Sequence, residues 1–259
     1  MMKILIALHK PYAVPKEAIY LPIQVGADLP DRQLLVNTIA DNTGRNISKE
    51  NGHYNELTAL YWAKYNLADE DIIGLVHYRR YFGRKASHNL ADILSEDEIR
   101  QTLKTVDVIL PKARNYFIEN QQDHYLHAHR GEPYFALEKV LTDHYPDYLP
   151  AFSKLAKTTR AHLFNMSIMK QVDFQAYTTF LFDVLALVAE QIDLVNYRGQ
   201  EQRALGFLAE RLMDVWLVTN QKSFKEFPLV TTEKTNWLDK GSQFLLRKFG
   251  YKQGSRTHF

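Results

Sequence analysis

The sequence contains no cysteine among its 259 residues. This absence excludes disulfide bonds, a thiol nucleophile and every metal site that depends on thiolate ligands. It does not indicate the redox compartment, because a chain without cysteine is compatible with either one. Disulfide-stapled folds and cysteine chemistry are therefore excluded for this chain.

A strong excess of charge is also missing. The formal net charge is +2, which is too small to indicate nucleic-acid binding by itself. No zinc-finger or RNP signature accompanies it, so we predict that the protein binds no nucleic acid. The composition, with 46% hydrophobic, 12% aromatic and 24% charged residues, is that of a globular protein with a substantial core.

Long hydrophobic runs are scarce as well. The apolar run at residues 4–8 is too short for a signal peptide and has no small-residue cleavage site after it, so it predicts a first strand. The longest later run, residues 180–188, is interrupted by Asp183 and falls short of the roughly 20 residues of a membrane span. We expect a soluble cytoplasmic protein, or one held peripherally at the inner face of the cell membrane.

The most informative stretch is residues 71–82, where a short apolar run ends at a histidine, two arginines and aromatic rings. Residues 72–76 are rich in β-branched side chains, which predicts a strand buried on both faces of a parallel sheet. Ligands in such sheets bind beyond the carboxyl ends of the strands, where His77, Tyr78, Arg79 and Arg80 would lie. Arginine pairs suit a diphosphate, although they also form ion pairs with carboxylates or lie along the surface.

Basic groups follow two other predicted strands. His9 and Lys10 come after residues 3–8, and Lys112 comes after residues 106–110. Residues 20–26 form a further extended piece, which Pro22 marks as an edge or irregular segment. Strands that alternate with helices in this way predict an α/β fold with a mostly parallel central sheet flanked by helices.

Helices are predicted between these strands by their apolar periodicity. Residues 53–65 have the pattern of one helix, with Glu56 and Thr58 in its first turns, either as capping groups or as ligand contacts. Ser95 and Glu98 match a capping box. Residues 133–144, 174–189 and 202–217 give further helices.

Two polar segments are predicted as loops. Residues 27–51 are rich in Asp, Asn, Gly and Ser, and residues 115–130 are irregular and rich in histidine. The spacing of His124, His127 and His129 is compatible with a metal site, but no carboxylate or cysteine completes a recognisable ligand set. Contacts with an acceptor, or simple surface exposure, are the other interpretations of these histidines.

The chain is predicted to form one domain, residues 1–236, with a basic amphipathic extension at residues 237–259. Such an extension either rests on an anionic membrane or docks on the domain. The sequence contains no internal repeat or low-complexity tract.

Several blocks of the sequence resemble one family. The blocks are His9-Lys10-Pro11-Tyr12, residues 20–27, Asn46-Ile47-Ser48 with Asn51, and residues 54–58, 61–62, 74–82, 164–166 and 206–212. They resemble bacterial capsular and exopolysaccharide synthesis proteins that are treated as glycosyltransferases, some of them similar to galactofuranosyltransferases. The resemblance runs over nearly the whole chain before Trp237.

This resemblance implies a single GT-A-like domain that transfers a sugar from a UDP-sugar. Many such folds hold a divalent metal with an Asp-x-Asp motif just after a strand, and residues 77–80 occupy that place here. Asp69-Glu70-Asp71 matches the Asp-x-Asp motif but precedes the strand instead of following it, so we interpret it as a turn. We therefore expect metal-independent transfer with no cofactor, while Mn or Mg remains an alternative.

The resemblance also implies roles for individual residues. Arg79 and Arg80 would neutralise the charge of the departing diphosphate, with His77 beside them, and Glu210 would be the base that takes the acceptor proton. Glu201 and Asp123 are alternatives for the base, and an ion pair is the alternative for Glu210. The nucleotide-sugar contacts would come from His9, Lys10, Tyr12, Asn46, Ser48, Asn51, Tyr54, Tyr78 and Asn165.

Three functions are compatible with these expectations. The first is a glycosyltransferase that extends a capsular, exopolysaccharide or O-antigen repeat on a lipid carrier. The second is a non-catalytic nucleotide- or carbohydrate-binding partner in a biosynthetic complex. The third is a metal-dependent hydrolase that uses the histidines of residues 124–129.

Overall fold

A mostly parallel β-sheet forms the centre of the computed structural model, which describes residues 1–233. The predicted domain limit at residue 236 and the predicted extension after it lie outside the described residues. The strands are β1 (Met2–Leu8), β2 (Tyr20–Gln24), β3 (Ile39–Ala40), β4 (Ile72–His77), β5 (Arg80–Phe82), β6 (Val108–Pro111), β7 (Arg114–Asn115), β8 (Arg160–Ala161), β9 (Ser167–Lys170), β10 (Phe224–Phe227) and β11 (Leu229–Thr231).

Helices follow or connect most of these strands. They are α1 (Asn51–Tyr54), α2 (Leu57–Asn66), α3 (Glu96–Thr102), α4 (Gln121–Ala128), α5 (Gly131–His144), α6 (Leu149–Ala156), α7 (Gln171–Ala189) and α8 (Ala204–Thr219). The capping box predicted at the start of α3 is present, because Ser95 accepts from the backbone N–H of Glu98 and the Glu98 side chain accepts from that of Ser95.

The strand order is β10-β6-β9-β4-β1-β2-β3. Strands β3, β2, β1 and β4 run parallel, and β6 and β10 share their direction. Strand β9 lies antiparallel between β4 and β6. The predicted class, an α/β fold with a mostly parallel sheet flanked by helices, is confirmed.

The side chains of β1 alternate between two hydrophobic cores, one on each face of the sheet. Leu5 and Ala7 belong to the larger core, which contains buried side chains of α2, α5, α7 and α8. Ile4 and Ile6 belong to a second core, which contains Ile99 of α3 and part of β5. Successive side chains of a strand face opposite sides, so a strand with helices on both sides must be apolar throughout.

Residues 20–26, predicted as an edge or irregular segment, contain the internal strand β2. Strand β2 pairs with β1 on one side and with β3 on the other. It tolerates Pro22 because β3 is only two residues long and pairs with Ile23 and Gln24, beyond the proline. No neighbouring strand on that side needs the N–H that proline lacks.

The predicted single helix at residues 53–65 is divided in two. Asn55 has φ +51°, a left-handed conformation that ends α1, and α2 begins at Leu57. Asparagine adopts this conformation more readily than most residues, because its short side chain can hydrogen-bond locally. The break leaves Asn55 and Glu56 between two helices rather than on a continuous helical face.

Residues 121–128 form α4, although the segment was predicted as part of a loop. The overlooked signal is a cap, because Asn120 Oδ1 accepts from the backbone N–H of Asp123 at 2.7 Å. Asparagine is among the residues most favoured at a helix start. Because α4 contains few apolar residues, its sequence shows no apolar periodicity that would predict a helix.

Helix α7 is longer and more apolar than the sequence interpretation allowed. Its 19 residues, Gln171–Ala189, are enough by length and composition alone to cross a membrane. Phe174, Tyr177, Leu181 and Leu185 are buried in the larger core. We therefore interpret α7 as a core helix.

Candidate active site

A cleft of about 340 Å³ opens at the carboxyl ends of β1 and β4. This is the position in which parallel sheets bind ligands, and the volume is in the range of small-molecule sites. Its charged and titratable lining residues are Arg32, Arg79, Arg80, Arg114, Arg203, Arg211, His9, His77, His124, His129, Glu56 and Glu210. Six arginines against two glutamates make the cleft strongly positive, which favours an anionic ligand.

The two consecutive arginines lie in a tight turn where β4 reverses into β5. His77 of β4 pairs with Arg80 of β5 in the antiparallel register. The Arg79 guanidinium forms an ion pair with Glu233, with Nη1 3.0 Å from Oε2, and it lines the cleft at the same time. Of the alternatives left open for Arg79, the ion pair is therefore present.

Arg80 is mostly buried and lies over the ring of Phe164, with its guanidinium carbon 4.5 Å from the ring centre. Burial and, to a smaller extent, the neighbouring charge of Arg79 lower the pKa of Arg80 to about 10, while Glu210 acts in the opposite direction. The guanidinium still carries its charge at neutral pH. It therefore provides a fixed, weakly solvated positive charge in the cleft.

Aromatic rings form the wall beside these arginines. Tyr78 stacks on Tyr12 with ring centres 3.8 Å apart, and His9 lies edge-on to Tyr78 at 5.4 Å. The Lys10 ammonium is 5.2 Å from the Tyr12 ring. His9 and Tyr78 line the cleft, and Tyr12 and Lys10 flank them from outside. Burial lowers the pKa of His9, and the charges of Arg32 and Lys10 lower it further, which keeps the imidazole neutral.

Both carboxylates of the cleft are held by one strained dipeptide. Phe164 and Asn165 have φ +78° and +53°, left-handed conformations that cost a non-glycine residue about 1–3 kcal/mol. The backbone N–H of Phe164 donates to Glu210 Oε1 at 2.9 Å. The amide Nδ2 of Asn165 donates to Glu56 Oε1 at 2.7 Å. These two hydrogen bonds hold the carboxylates of Glu210 and Glu56 at defined positions in the cleft.

Glu210 combines a raised pKa with partial exposure to the cleft. Burial raises the pKa of its carboxyl group, and the charge of Glu56 raises it further against the opposing effect of Arg211. Its side chain remains one-fifth exposed. A carboxylate with a raised pKa that remains accessible from a cleft is suited to accept a proton from a hydroxyl group.

Glu56 is a site residue whose role the sequence left undecided. It lines the cleft, and its Oε1 is 4.0 Å from Nε2 of His77. Burial lowers the pKa of His77 to about 4, so that this imidazole is neutral at working pH. The helix break at Asn55, which places Glu56 in the cleft, is the signal that apolar periodicity did not show.

A further wall of the cleft contains histidines that the sequence predicted as acceptor contacts, metal ligands or surface groups, together with aromatic and basic residues that it did not assign to the site. Tyr116 and His124 stack with ring centres 3.6 Å apart, and His129 stacks on Phe207 at 4.2 Å. These two stacked pairs line the cleft together with Arg114, Arg203 and Arg211. The capped start of α4, which positions His124, is the sequence signal that would have located part of this wall.

The three histidines of residues 124–129 separate in the structure. His124 and His127 both bond to Glu119, with Nδ1 to oxygen distances of 2.9 and 3.1 Å, and His127 is two-thirds exposed. Only His124 and His129 line the cleft. Within residues 1–233, no group of three His, Cys, Asp or Glu side chains is placed to hold a metal ion.

Six of the predicted nucleotide-sugar contacts lie outside the cleft lining, namely Lys10, Tyr12, Asn46, Ser48, Tyr54 and Asn165. Among the described residues, Asn46 bonds to the backbone of Gly44 and Ser48. The Ser48 hydroxyl bonds to the fully buried Asp41, which also accepts from the Thr58 hydroxyl, so Ser48 and Thr58 order the loop before α2. Tyr54 packs near Phe182, with ring centres 6.2 Å apart. Of this loop, Asn51 does line the cleft.

The alternative bases are also elsewhere. Glu201 accepts from the backbone N–H of Arg130, and Asp123 bonds to Asn120 in the cap of α4. Asp71 pairs with the amino terminus and with Arg100 at the start of β4, away from the cleft. This position agrees with the interpretation of residues 69–71 as a turn rather than a metal motif.

The α/β fold is similar to that of a known glycosyltransferase. The structure matches that of a bifunctional glycosyltransferase, WbbM, in its apo form with a TM-score of 0.79 and 28% sequence identity. The match covers 90% of this chain and 45% of that one, so the chain spans less than half of the WbbM structure. A search of curated proteins finds no match.

The chain belongs to the family described as a domain of unknown function, DUF4422, whose model matches residues 3–221. This range contains the arginine turn, both carboxylates of the cleft and the dipeptide that holds them. The residues of the cleft lining therefore belong to the family domain. Strands β10 and β11 follow it in the chain.

Proposed function

We propose that this chain is a glycosyltransferase that moves a sugar, galactofuranose or another hexose, from a UDP-sugar to a growing polysaccharide repeat. The acceptor would be a capsular, exopolysaccharide or O-antigen repeat on a lipid carrier. The observation that carries the proposal is the cleft with six arginines and two glutamates at the carboxyl ends of β1 and β4. The similarity to a glycosyltransferase structure supports the reaction class.

The proposed mechanism assigns the charges of the cleft to different parts of the reaction. Arg79 and Arg80 stabilise the negative charge that develops on the departing diphosphate, because fixed cations in a poorly solvated cleft need little reorganisation. Glu210 removes the proton from the attacking acceptor hydroxyl. His77 stays neutral beside them, because its imidazole carries no positive charge at working pH.

The arginines replace a metal ion in this mechanism. Within residues 1–233, the cleft offers two carboxylates, each already bonded to residue 164 or 165, and hard divalent cations prefer several oxygen ligands. These residues do not fit a Mn or Mg site. We therefore derive no step through a metal ion.

The phosphate role of the arginine turn is tested by the double variant Arg79→Ala/Arg80→Ala. We expect UDP affinity, measured by titration calorimetry, to fall by about 100-fold or more, because each charged hydrogen bond to a phosphate is worth about 1.5–3 kcal/mol. Arg84→Ala is the matched control, since Arg84 pairs with Glu98 at the surface. Unchanged UDP affinity in the double variant would refute the phosphate role.

The second candidate function is a binding module without catalysis. It is favoured by the same basic cleft, because binding alone requires the arginines and not Glu210. Incubation of the protein with UDP-sugar and a lipid-linked acceptor separates the two functions. Formation of the glycosidic product establishes an enzyme, and saturable binding without product establishes the module.

A further inference from the structure

Glu56 is held in the cleft in a way that leaves one carboxylate oxygen available. Its Oε1 accepts a hydrogen bond from Asn165 Nδ2 at 2.7 Å. Within residues 1–233, Oε2 forms no hydrogen bond, and the side chain is 16% exposed. Glu56 therefore presents one fixed acceptor oxygen to the cleft.

The orientation of Asn165 is itself fixed. Its Nδ2 donates to Glu56 Oε1 and to the backbone carbonyl of Gly206 at 3.2 Å, and the residue is 6% exposed. The amide oxygen, Oδ1, is buried with no hydrogen-bond partner among the described residues. A buried acceptor without a partner destabilises the fold, and the left-handed backbone of Asn165 adds to that cost. Both costs are expected where position matters for function.

A free carboxylate oxygen selects the chemistry of its ligand. Phosphate oxygens are acceptors and repel a carboxylate, whereas a hydroxyl group donates to it. Apart from Glu56 and Glu210, the charged lining of the cleft is cationic and suits phosphates. Glu210 is assigned to the acceptor hydroxyl in the proposed mechanism, and Glu56 is the carboxylate that fits the polyhydroxylated portion of the donor.

Glu56 is also connected to the arginine turn through direct contacts. Arg80 lies over the Phe164 ring, and Asn165, the next residue, bonds to Glu56. In a nucleotide sugar, the sugar is attached directly to the second phosphate. A diphosphate at Arg80 therefore brings its sugar next to this dipeptide.

We propose that Glu56, positioned by Asn165, binds a hydroxyl group of the transferred sugar and so distinguishes the sugar nucleotide from the free nucleoside diphosphate. Oε2 accepts the hydrogen bond. His77 Nε2, 4.0 Å from Oε1, is buried and has no hydrogen-bond partner among the described residues. This inference rests on the proposed function, because it takes a sugar nucleotide as the ligand.

The test compares the affinity for UDP with the affinity for UDP-galactofuranose, UDP-galactose and UDP-glucose, in the unmodified protein and in Glu56→Gln. We expect the unmodified protein to bind at least one UDP-sugar more tightly than UDP. In Glu56→Gln, we expect UDP affinity within twofold of the original and a loss of about 10-fold or more for that UDP-sugar. Glu190→Gln, at an exposed position after α7, is the matched control.

A second variant separates binding from a structural role. Asn165→Ala removes the anchor of Glu56 and is expected to weaken UDP-sugar binding while leaving UDP binding within twofold. Equal losses for UDP and UDP-sugar in both variants would overturn the inference, because a purely structural role affects both ligands alike. Unchanged affinities in both variants would overturn it too.

Failure of the proposed function gives a different result. If the unmodified protein binds neither UDP nor any of the UDP-sugars, the proposed function fails and the inference fails with it. If it binds UDP and gains no affinity from any sugar, only the role of Glu56 is refuted.

Discussion

At the scale of single residues, burial lowers the pKa of His9 and His77 in the cleft, whereas the pKa of His162 is raised. His162 lies between two carboxylates, with Nδ1 2.5 Å from Asp214 and Nε2 3.0 Å from Glu226. Burial by itself lowers the pKa of His162, but the hydrogen bonds and charges of the two acids outweigh burial and raise it above the ordinary value. His162 is thus a buried imidazole whose charged form is stabilised by both acids, and it joins the segment after β8 to α8 and β10.

We expect this ion cluster to make stability dependent on pH. Because the pKa of His162 is raised in the folded state, its contribution is fully present below its ordinary pKa of about 6.5 and is lost as the pH rises through the raised value. His162→Gln should lower the free energy of unfolding by about 2–4 kcal/mol at pH 6, and by clearly less at pH 9. Urea unfolding at both pH values measures the difference.

The control for this measurement is His144→Gln, at an exposed position in the last turn of α5. It should leave the free energy of unfolding within about 0.5 kcal/mol of the original at either pH. A loss in His162→Gln that is the same at pH 6 and pH 9 would contradict a charged His162.

The sequence was sufficient to predict the site residues that directly follow the ends of strands. His9, His77, Arg79 and Arg80 were placed at the cleft because polar residues directly follow short apolar runs. Arg203 and Arg211 were not, because they lie in and just before α8, where charges are normally interpreted as a solvated face. Which helix faces meet across a cleft depends on packing between distant segments, and a single sequence does not specify it.

At the scale of elements, β4 depends on a glycine in its centre. Gly74 pairs with Ile4 of β1 and with Ile168 of β9. A Cβ atom there would lie 2.7 Å from the Ile168 side chain and 3.1 Å from the backbone oxygen of Ser167. The second contact cannot be relieved by a rotamer change. The position therefore requires a residue without a side chain.

We expect Gly74→Ala to lower the free energy of unfolding by about 1–3 kcal/mol through overpacking. Gly52→Ala is the matched control, since Gly52 lies in α1 and no atom would come within 4 Å of its Cβ. That change should be neutral or stabilising by up to about 1 kcal/mol, because alanine is the better helix former. Thermal and urea unfolding of the two variants measure both effects, and equal stability of the two would contradict this account of β4.

Helices with strong apolar periodicity were predicted well, whereas the division between α1 and α2 was not predicted. Helices α5, α7 and α8 follow apolar stripes, and the predicted ranges agree within a few residues. The division at Asn55 was missed, because a left-handed residue inside an apolar period leaves the pattern intact. It is held by a contact distant in sequence, the bond from Arg203 Nε to Asn55 Oδ1 at 2.9 Å.

At the scale of the whole molecule, positive charge is concentrated in the cleft. The chain has a formal net charge of +2, whereas the lining of the cleft carries an excess of four positive charges with histidines neutral. The remainder of the chain is therefore net negative. Such a distribution directs small anions to the cleft without making the whole surface attractive to nucleic acid.

This distribution leads to a prediction about metal ions. Because arginines supply the positive charge at the proposed diphosphate position, we expect the rate of sugar transfer to persist within twofold in excess EDTA. UDP release in the presence of donor and acceptor measures the rate. Abolition by EDTA that only manganese or magnesium restores would contradict the proposal.

The arginine turn depends on a late part of the chain. Strand β11 pairs with β5, and Glu233 pairs with Arg79, although the family model ends at residue 221. A recombinant fragment trimmed to the family boundary would lack the backbone partner of Arg80 and the counter-ion of Arg79. Expression boundaries for this domain should accordingly be drawn after residue 233, so that the turn keeps both of its supports.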